Sequence, residues 1–484
     1  MEKNLIIKIN KNFFGFNNKN NKLNSILYVV ENYSEFLQKN TINESKKKYF
    51  KKAIKKNTQL DIIYISEITD DIFEAVLLLK PSKIHRKSTI DQAAKAAKYI
   101  HNTTWNVNFS PKFNNEVIYD FLFGWGLSFY KFTIEKIKDN IKYLNLKSLE
   151  KFPLKLIEKC KSELTGIYIA RNLINLPPNF LNPSEYEKQI FKVFKNEKVK
   201  LKVFRGKNFK KSFPLIDFVG RASEHEPRLI EITFNQTSKR KKPNVVLIGK
   251  GITFDSGGLD LKPSSSMLLM KKDMAGSAIA IALAKTIISL NYKINLKLLI
   301  PIAENFVSHK SMRPMDIVYS RNKTPVEIGN TDAEGRLILA DTLTFSQESK
   351  SKPDLIVDFA TLTGAARVAL GTEMPAFFSN NKHITKTIIE NSIKFVDPLW
   401  ELPLFTSYER HLKNDNGSIS STGFSGTGGA ITAALFLKKF VEKNINWVHI
   451  DLMGWNLHSR AGFPKGGEAM SFRAILESIN ELYN

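Results

Sequence analysis

From Asn244 onward the chain alternates short β-rich runs with stretches of helical composition, and this alternation limits the available folds more than any other feature. Asn244–Ile248 (NVVLI) is a β-rich run, and Ala275–Leu290, rich in Ala and Ile, predicts a helix. Ile294–Ile302 predicts a strand, Ala333–Ser346 a helix, and Asp354–Phe359 (DLIVDF) a buried strand. Gly428–Val441 predicts a helix after a glycine-rich turn, and Trp447–Leu452 (WVHIDL) a further strand. A β-α-β-α order implies a mostly parallel sheet covered by helices. Loops at the carboxyl ends of such strands are where chemistry collects.

Upstream, apolar residues recur near helical spacing from Leu156 to Ile174, and Pro177, Pro178 and Pro183 then break the chain. The expected fold class is α/β with two domains. Residues 1–155 form a small N-terminal α/β domain, 156–185 a helical connector, and 186–484 a larger α/β/α domain with a central, mostly parallel sheet. Within the first part, Ile62–Ile65 and Leu77–Leu79 predict strands or short helical pieces. Asp91–His101 has helix composition, and Val117–Phe132 is aromatic enough to be core. No chemical motif stands out there, and no glycine-rich loop marks a nucleotide site.

Charge is the second constraint. Lys+Arg 72 against Asp+Glu 47 leaves a formal charge of +25. The excess is lysine spread along the chain, with local runs at Lys46–Lys48, Lys51-Lys52, Lys55-Lys56 and Lys239–Lys242. These runs lack the glycine and aromatic interleaving of RNA-binding modules. They predict solvated surface and salt-sensitive, nonspecific nucleic-acid attraction rather than a dedicated interface. A lone cysteine, Cys160, excludes an intrachain disulfide and suits a reducing compartment. The N-terminus carries no apolar signal segment. The longest uncharged stretch, Asn416–Leu437, opens with Gly, Ser and Thr and so is no membrane span. A soluble, cytoplasmic protein without membrane association is expected.

Four polar segments fall where strands should end. GKGITFDSGG at 249–258 brings Lys250 and Asp255 between glycines that permit tight turns. LKP at 261–263 brings Lys262, and MKKDMAG at 270–276 brings Asp273, whose place before a helix would also suit an N-cap. NTDAEGRL at 330–337 brings Asp332, Glu334 and Arg336; in an extended stretch that spacing puts all three on one side. ATLTGA at 360–365 offers hydroxyls and small residues, as a substrate-facing loop or a plain strand-to-helix turn. Clustered acids between apolar elements need metal ions or fixed cations. Carboxylate-rich sites suit divalent metals, and shared carboxylates bridge pairs of them. The Cys/His spacings of structural zinc are absent. Ser425, in GFSG, does not fit a hydrolase nucleophile turn. His449, inside a strand, reads as a packed histidine.

These blocks, in order, resemble the leucyl (cytosol) aminopeptidases, and NTDAEGRL looks like that family's signature. The resemblance covers roughly 165–484 and makes 186–484 the catalytic metallopeptidase domain. It implies an exopeptidase that releases N-terminal residues, often leucine, from peptides with a free N-terminus. It implies metal ligands Lys250, Asp255, Asp273, Asp332 and Glu334 for two divalent ions per subunit, Mn²⁺ or Zn²⁺. Lys262 and Arg336 match the catalytic pair: the first stabilises the oxyanion, the second holds a bicarbonate that shuttles protons. Met270, Thr361 and Gly364 match positions lining the side-chain pocket. A homohexamer with inward-facing sites is the implied assembly.

Overall fold

The computed structural model describes residues 16–17, 24–39, 42–56, 62–69, 72–80, 86–101, 103–134, 143–149, 152–235, 242–423 and 426–484. Lys239, Arg240, Lys241 and Ser425 lie outside these residues, as does most of the N-terminal segment searched for a signal. Two compact units emerge, one of Lys8–Leu164 with His458–Pro464, the other of Thr165–Leu457 with Lys465–Asn484. No helix among the described residues is long and apolar enough to cross a membrane.

The smaller unit holds a six-stranded sheet. Its spatial order is Phe16–Asn17, Tyr143–Asn145, Thr104–Phe109, Ser25–Val30, Ile72–Leu78 and Ile62–Thr69. All neighbours run parallel except the last pair, an antiparallel hairpin. Both short apolar runs expected as strand or helix are therefore strands. The Asp91–His101 expectation falls in a helix that starts earlier, Lys87–Tyr99. The aromatic stretch is the helix Asn115–Ser128, which buries Tyr119, Phe121, Phe123 and Trp125.

The larger unit begins within α1 (Leu154–Asn175), after which Pro183 opens α2 (Pro183–Phe194). Asn182 caps α2 by accepting from Ser184 N and Glu185 N. Then follow β1 (Lys200–Phe204), β2 (Arg228–Phe234), β3 (Asn244–Gly249), β4 (Gly251–Asp255), α3 (Ala275–Ser289), β5 (Asn295–Asn305), α4 (Glu334–Ser346) and β6 (Leu355–Ala360). The chain continues through α5 (Gly364–Leu370), β7 (Ala376–Ser379), β8 (Trp400–Glu401), α6 (Gly429–Lys438), β9 (Asn446–Asp451) and α7 (Phe472–Tyr483). The sheet runs β8-β7-β9-β6-β3-β5-β2-β1, with β4 pairing the far end of β5. Its centre is parallel: β9 on β6, β6 on β3, β3 on β5, β4 on β5. Antiparallel strands flank it, β2 and β1 on one side and β7 on the other.

The central strands are apolar on both faces, as burial under two helical layers demands. Val246, Ile248 and Ile356 pack with Leu337 and Leu343 of α4 and with Ala434 and Leu437 of α6. Alternation turns Val245 and Leu247 to the opposite face, where α3 lies against β3 and β6. The layers are therefore α/β/α. Every parallel strand ends at one edge, which gathers Lys250, Asp255, Asn305, Thr361 and Asp451 onto the same side of the sheet.

On α4, fully buried Asp341 accepts from Leu215 N and Arg321 N, each at 2.8 Å, and so ties the start of the helix Pro214–Gly220 and the turn at Arg321 to α4. Burial pushes its carboxyl up from 3.8 to about 7 against those hydrogen bonds. The unfolded chain ionises this group near its ordinary value, whereas the fold keeps it protonated until about pH 7. Its stabilising share is therefore complete at low pH and fades as pH rises towards 7. Asp341→Ala leaves two amide donors unpaired and is expected to cost about 2–4 kcal/mol in urea unfolding. The deficit should be larger at pH 5 than at pH 8.

Candidate metal centre

Strand β3 ends at Gly249, and Lys250 follows with its amide donating to Phe359 O at 2.9 Å. That bond anchors Lys250 to β6 and aims its side chain along the sheet edge. The ammonium lies 2.8 Å from Asp273 Oδ2, 2.7 Å from Glu334 Oε1 and 3.0 Å from Thr361 O, with the side chain 3% exposed. Asp255 closes β4 and accepts from Asn305 Nδ2 at 2.8 Å and Gly257 N at 2.9 Å. Gly257 and Gly258 take φ of +88° and +70°, which turns the chain back towards Lys262. The Lys262 ammonium contacts Asp255 Oδ2 at 2.9 Å and also contacts Asp332.

Asp273 stands in the 3₁₀ turn Met270–Met274 ahead of α3. It does not cap that helix: the N-cap is Met274, without a side-chain bond. The Asp273 carboxylate instead accepts from Thr361 Oγ1 at 2.6 Å and meets Lys250. The expected alternation of Asp332, Glu334 and Arg336 also differs. Asp332 lies in the turn, and α4 begins at Glu334, so two further residues rotate Arg336 away from Glu334 by about 200°. Arg336 consequently reaches Ser421 O at 2.7 Å rather than the acids. Its Nε is buried without a hydrogen-bond partner. Met270 is half-buried, Thr361 buried, and Gly364 exposed at the start of α5.

One edge thus brings together Asp255, Asp273 and Glu334, whose oxygens come within 4.8 Å of one another, all buried. With Asp332 there are four carboxylates facing two ammoniums, a net of two negative charges when all are ionised. Burial and then Asp255 push Glu334 up, and burial and then Asp273 push Asp255 up. Burial favours the neutral Asp273 acid, but Lys250 and Lys272 outweigh it and hold the group low. Burial also disfavours the Lys250 ammonium, yet Asp273, Glu334 and Asp255 keep it above the ordinary lysine range. Burial brings Arg336 down to about 10, against the pull of Asp451 and Glu334. Glu334 Oε2 has no hydrogen-bond partner, and Asp273 Oδ2 and Asp332 Oδ1 make ion contacts without an aligned hydrogen bond. Buried acceptors in that state have open lone pairs, which is what hard divalent cations require. The donor set therefore fits metal ions.

Two members of this edge escaped sequence reasoning. Asn305 ends β5 and orients Asp255 while donating to Thr331 O at 3.0 Å. Asp451 ends β9 and accepts from Leu362 N, Thr363 N and Thr363 Oγ1. Each is the polar residue terminating a parallel strand, the signal that singled out Asp255. His449, as expected, is packed: fully buried, it bonds Asp358 at 2.5 Å.

Comparison with known proteins gives one answer. The model of the "Cytosol aminopeptidase family, catalytic domain" matches residues 168–476. A "Probable cytosol aminopeptidase" of Prochlorococcus marinus (strain MIT 9211) is 37% identical over 356 residues, spanning 72% of this chain and 71% of the relative. Another, of Chlamydia abortus, is 37% identical over 333 residues, spanning 68% and 66%. The crystal structure of cytosol aminopeptidase from Coxiella burnetii superposes with TM-score 0.85 at 35% identity, covering 96% of this chain and 99% of that one. The bottromycin maturation enzyme BotP, solved in complex with Mn, shares the fold at TM-score 0.80 and 24% identity, over 95% and 99%.

Gly335 sits against Lys250: a Cβ there would lie 2.6 Å from Lys250 Cε and 2.7 Å from Nζ. Gly335→Ala is expected to force the ammonium out from between Asp273 and Glu334. Mn²⁺ affinity, read by electron paramagnetic resonance of the free ion, should fall at least about tenfold while far-ultraviolet circular dichroism stays unchanged.

Proposed function

The chain belongs to the cytosol aminopeptidase family and is a leucyl-aminopeptidase-type metallopeptidase, and from that premise we propose that it releases N-terminal residues, leucine-type foremost, at the edge carrying Lys250, Asp255, Asp273, Asp332 and Glu334. The observation that carries this reading is the buried acid cluster with its open oxygen on Glu334. Two divalent ions held by these five residues, Mn²⁺ or Zn²⁺, would polarise the scissile carbonyl, activate a water and bind the free α-amine.

The chain's own groups divide the remaining work. Asn305 and Gly257 N fix Asp255, so its two oxygens point in set directions. Lys250 would serve as a ligand in its neutral amine form, releasing its proton to solvent when a metal ion binds. Lys262 lies at the rim, 13% exposed, where its ammonium can meet the charge that develops on the carbonyl oxygen. Arg336 keeps one buried N–H donor free for a small oxyanion, and a bicarbonate held there would accept and return the proton bound for the leaving amine. Met270, Thr361 and Gly364 line the pocket for the N-terminal side chain.

A homohexamer belongs to the same proposal. Leu259, Leu261 and Leu268, 47%, 60% and 79% exposed around Lys262, support contact between copies. The relatives' name supports a cytosolic site of action. The +25 charge supports salt-sensitive attraction to nucleic acid and nothing more specific.

Purified protein stripped of metal should release nothing from a leucine anilide and regain turnover with Mn²⁺ or Zn²⁺, while the N-acetylated anilide stays intact throughout. Release without metal, or from the blocked substrate, refutes the reading. Glu334→Ala should retain less than about 10% of wild-type turnover, as expected for loss of a buried carboxylate from the ligand cluster.

A further inference from the structure

Asp451 is 2% exposed at the end of β9 and takes no place in the chemistry above. A carboxylate buried this deeply requires donors. Three come from one loop: Leu362 N at 2.9 Å and Thr363 N at 3.1 Å on Oδ1, and Thr363 Oγ1 at 2.6 Å on Oδ2. Thr363 Oγ1 in turn accepts from Ala366 N at 3.1 Å and caps α5. Just ahead of the loop, Leu452 N donates to Ala360 O at 2.9 Å and extends the pairing of β9 with β6. Its first residue is Thr361, whose carbonyl accepts from Lys250 Nζ at 3.0 Å and whose hydroxyl donates to Asp273 Oδ1 at 2.6 Å. Among the described residues, Asp255, Asp332 and Glu334 share no hydrogen bond or ion pair with Thr361. The loop held by Asp451 therefore touches two of the five proposed ligands directly, reaches Glu334 only through Lys250, and shares no bond with Asp255 or Asp332.

We propose that Asp451 is a positioning residue that, through Thr361, orients Lys250 and Asp273 and so sets the affinity of the one metal position those two residues define. The proposal rests on the reading of Lys250 and Asp273 as ligands. Without Asp451, two buried amides and a hydroxyl lose their acceptor, the loop relaxes, and the hydroxyl and carbonyl of Thr361 leave the lines they now hold. Partners that orient metal ligands typically affect affinity about 10–100-fold.

The test is Mn²⁺ binding to the full chain without substrate, followed by electron paramagnetic resonance of the free ion. Wild type should bind in two steps. In Asp451→Ala one step should weaken by about 10–100-fold and the other stay unchanged. Asp451→Asn should recover most of the loss, because its oxygen still accepts both amides and its amide can donate to Thr363 Oγ1. Thr361→Val should weaken the same step, and the double variant should be no worse than the weaker single one, since both act along one path. Equal weakening of both steps, additive losses or an unaltered Asp451→Ala would overturn the proposal while leaving the metal reading standing. A wild-type chain that binds no Mn²⁺ would overturn that reading and this proposal with it. If Asp451→Ala does not fold, Thr363→Val removes one of the three bonds with Asp451 in place. A smaller loss confined to one step supports the proposal, and no loss refutes it.

Discussion

Like charges brought together out of water are what the rest of this fold is arranged around. Four carboxylates cannot share a buried sheet edge unless cations sit among them, because each ionised acid raises the cost of ionising the next. Lys250 and Lys262 answer that constraint from inside the chain, each spanning two acids. Their placement needs backbone turns that only small residues allow, hence the glycines around Asp255 and the absence of a side chain at 335. It also needs rigid anchors, which the strand ends and the Lys250 amide bond to β6 supply. Apolar cores on both faces of the sheet, under α4 and α6 on one and under α3 on the other, hold those anchors still against the mutual repulsion of the acids.

The parallel architecture was legible because buried strands are nearly pure apolar runs, such as NVVLI and DLIVDF, and because helices between them carry their own composition. The smaller unit was harder to read. Lysine interrupts its apolar runs, and the two-residue strand Phe16–Asn17 has no pattern long enough to detect. Helix ends were also off by a few residues; α6 stops at Lys438, before the expected Val441. End positions depend on caps and tertiary contacts more than on composition.

At the metal centre, residue types were legible and their geometry was not. Alternation placed Arg336 beside Asp332 and Glu334, but helical rotation starting at Glu334 sends it to Ser421. Asp273 looked like a cap, yet the pull of Lys250 and Thr361 claims its carboxylate first. Asn305 and Asp451 lie outside the four polar segments that the sequence singles out. Their partners, Asp255 and the Thr361–Thr363 loop, come from 50 and about 88 residues away. Strand-end position is the one local clue they share with the residues that were found.

Strand order has a consequence for synthesis. β9 is made last among the central strands, yet it lies between β6 and β7. An emerging chain that has finished β7 and β8 cannot join them to β6, since the strand that lies between them has not yet been made. The sheet therefore stays open on that side until residue 451 has been made and the final strand slides into the gap. Asp451 arrives with that strand, so the loop bearing Thr361 gains its lock at the moment the sheet closes. A hydrolytic centre assembled this way is completed only once the core beneath it is whole, and nascent peptides nearby do not meet a finished site before then.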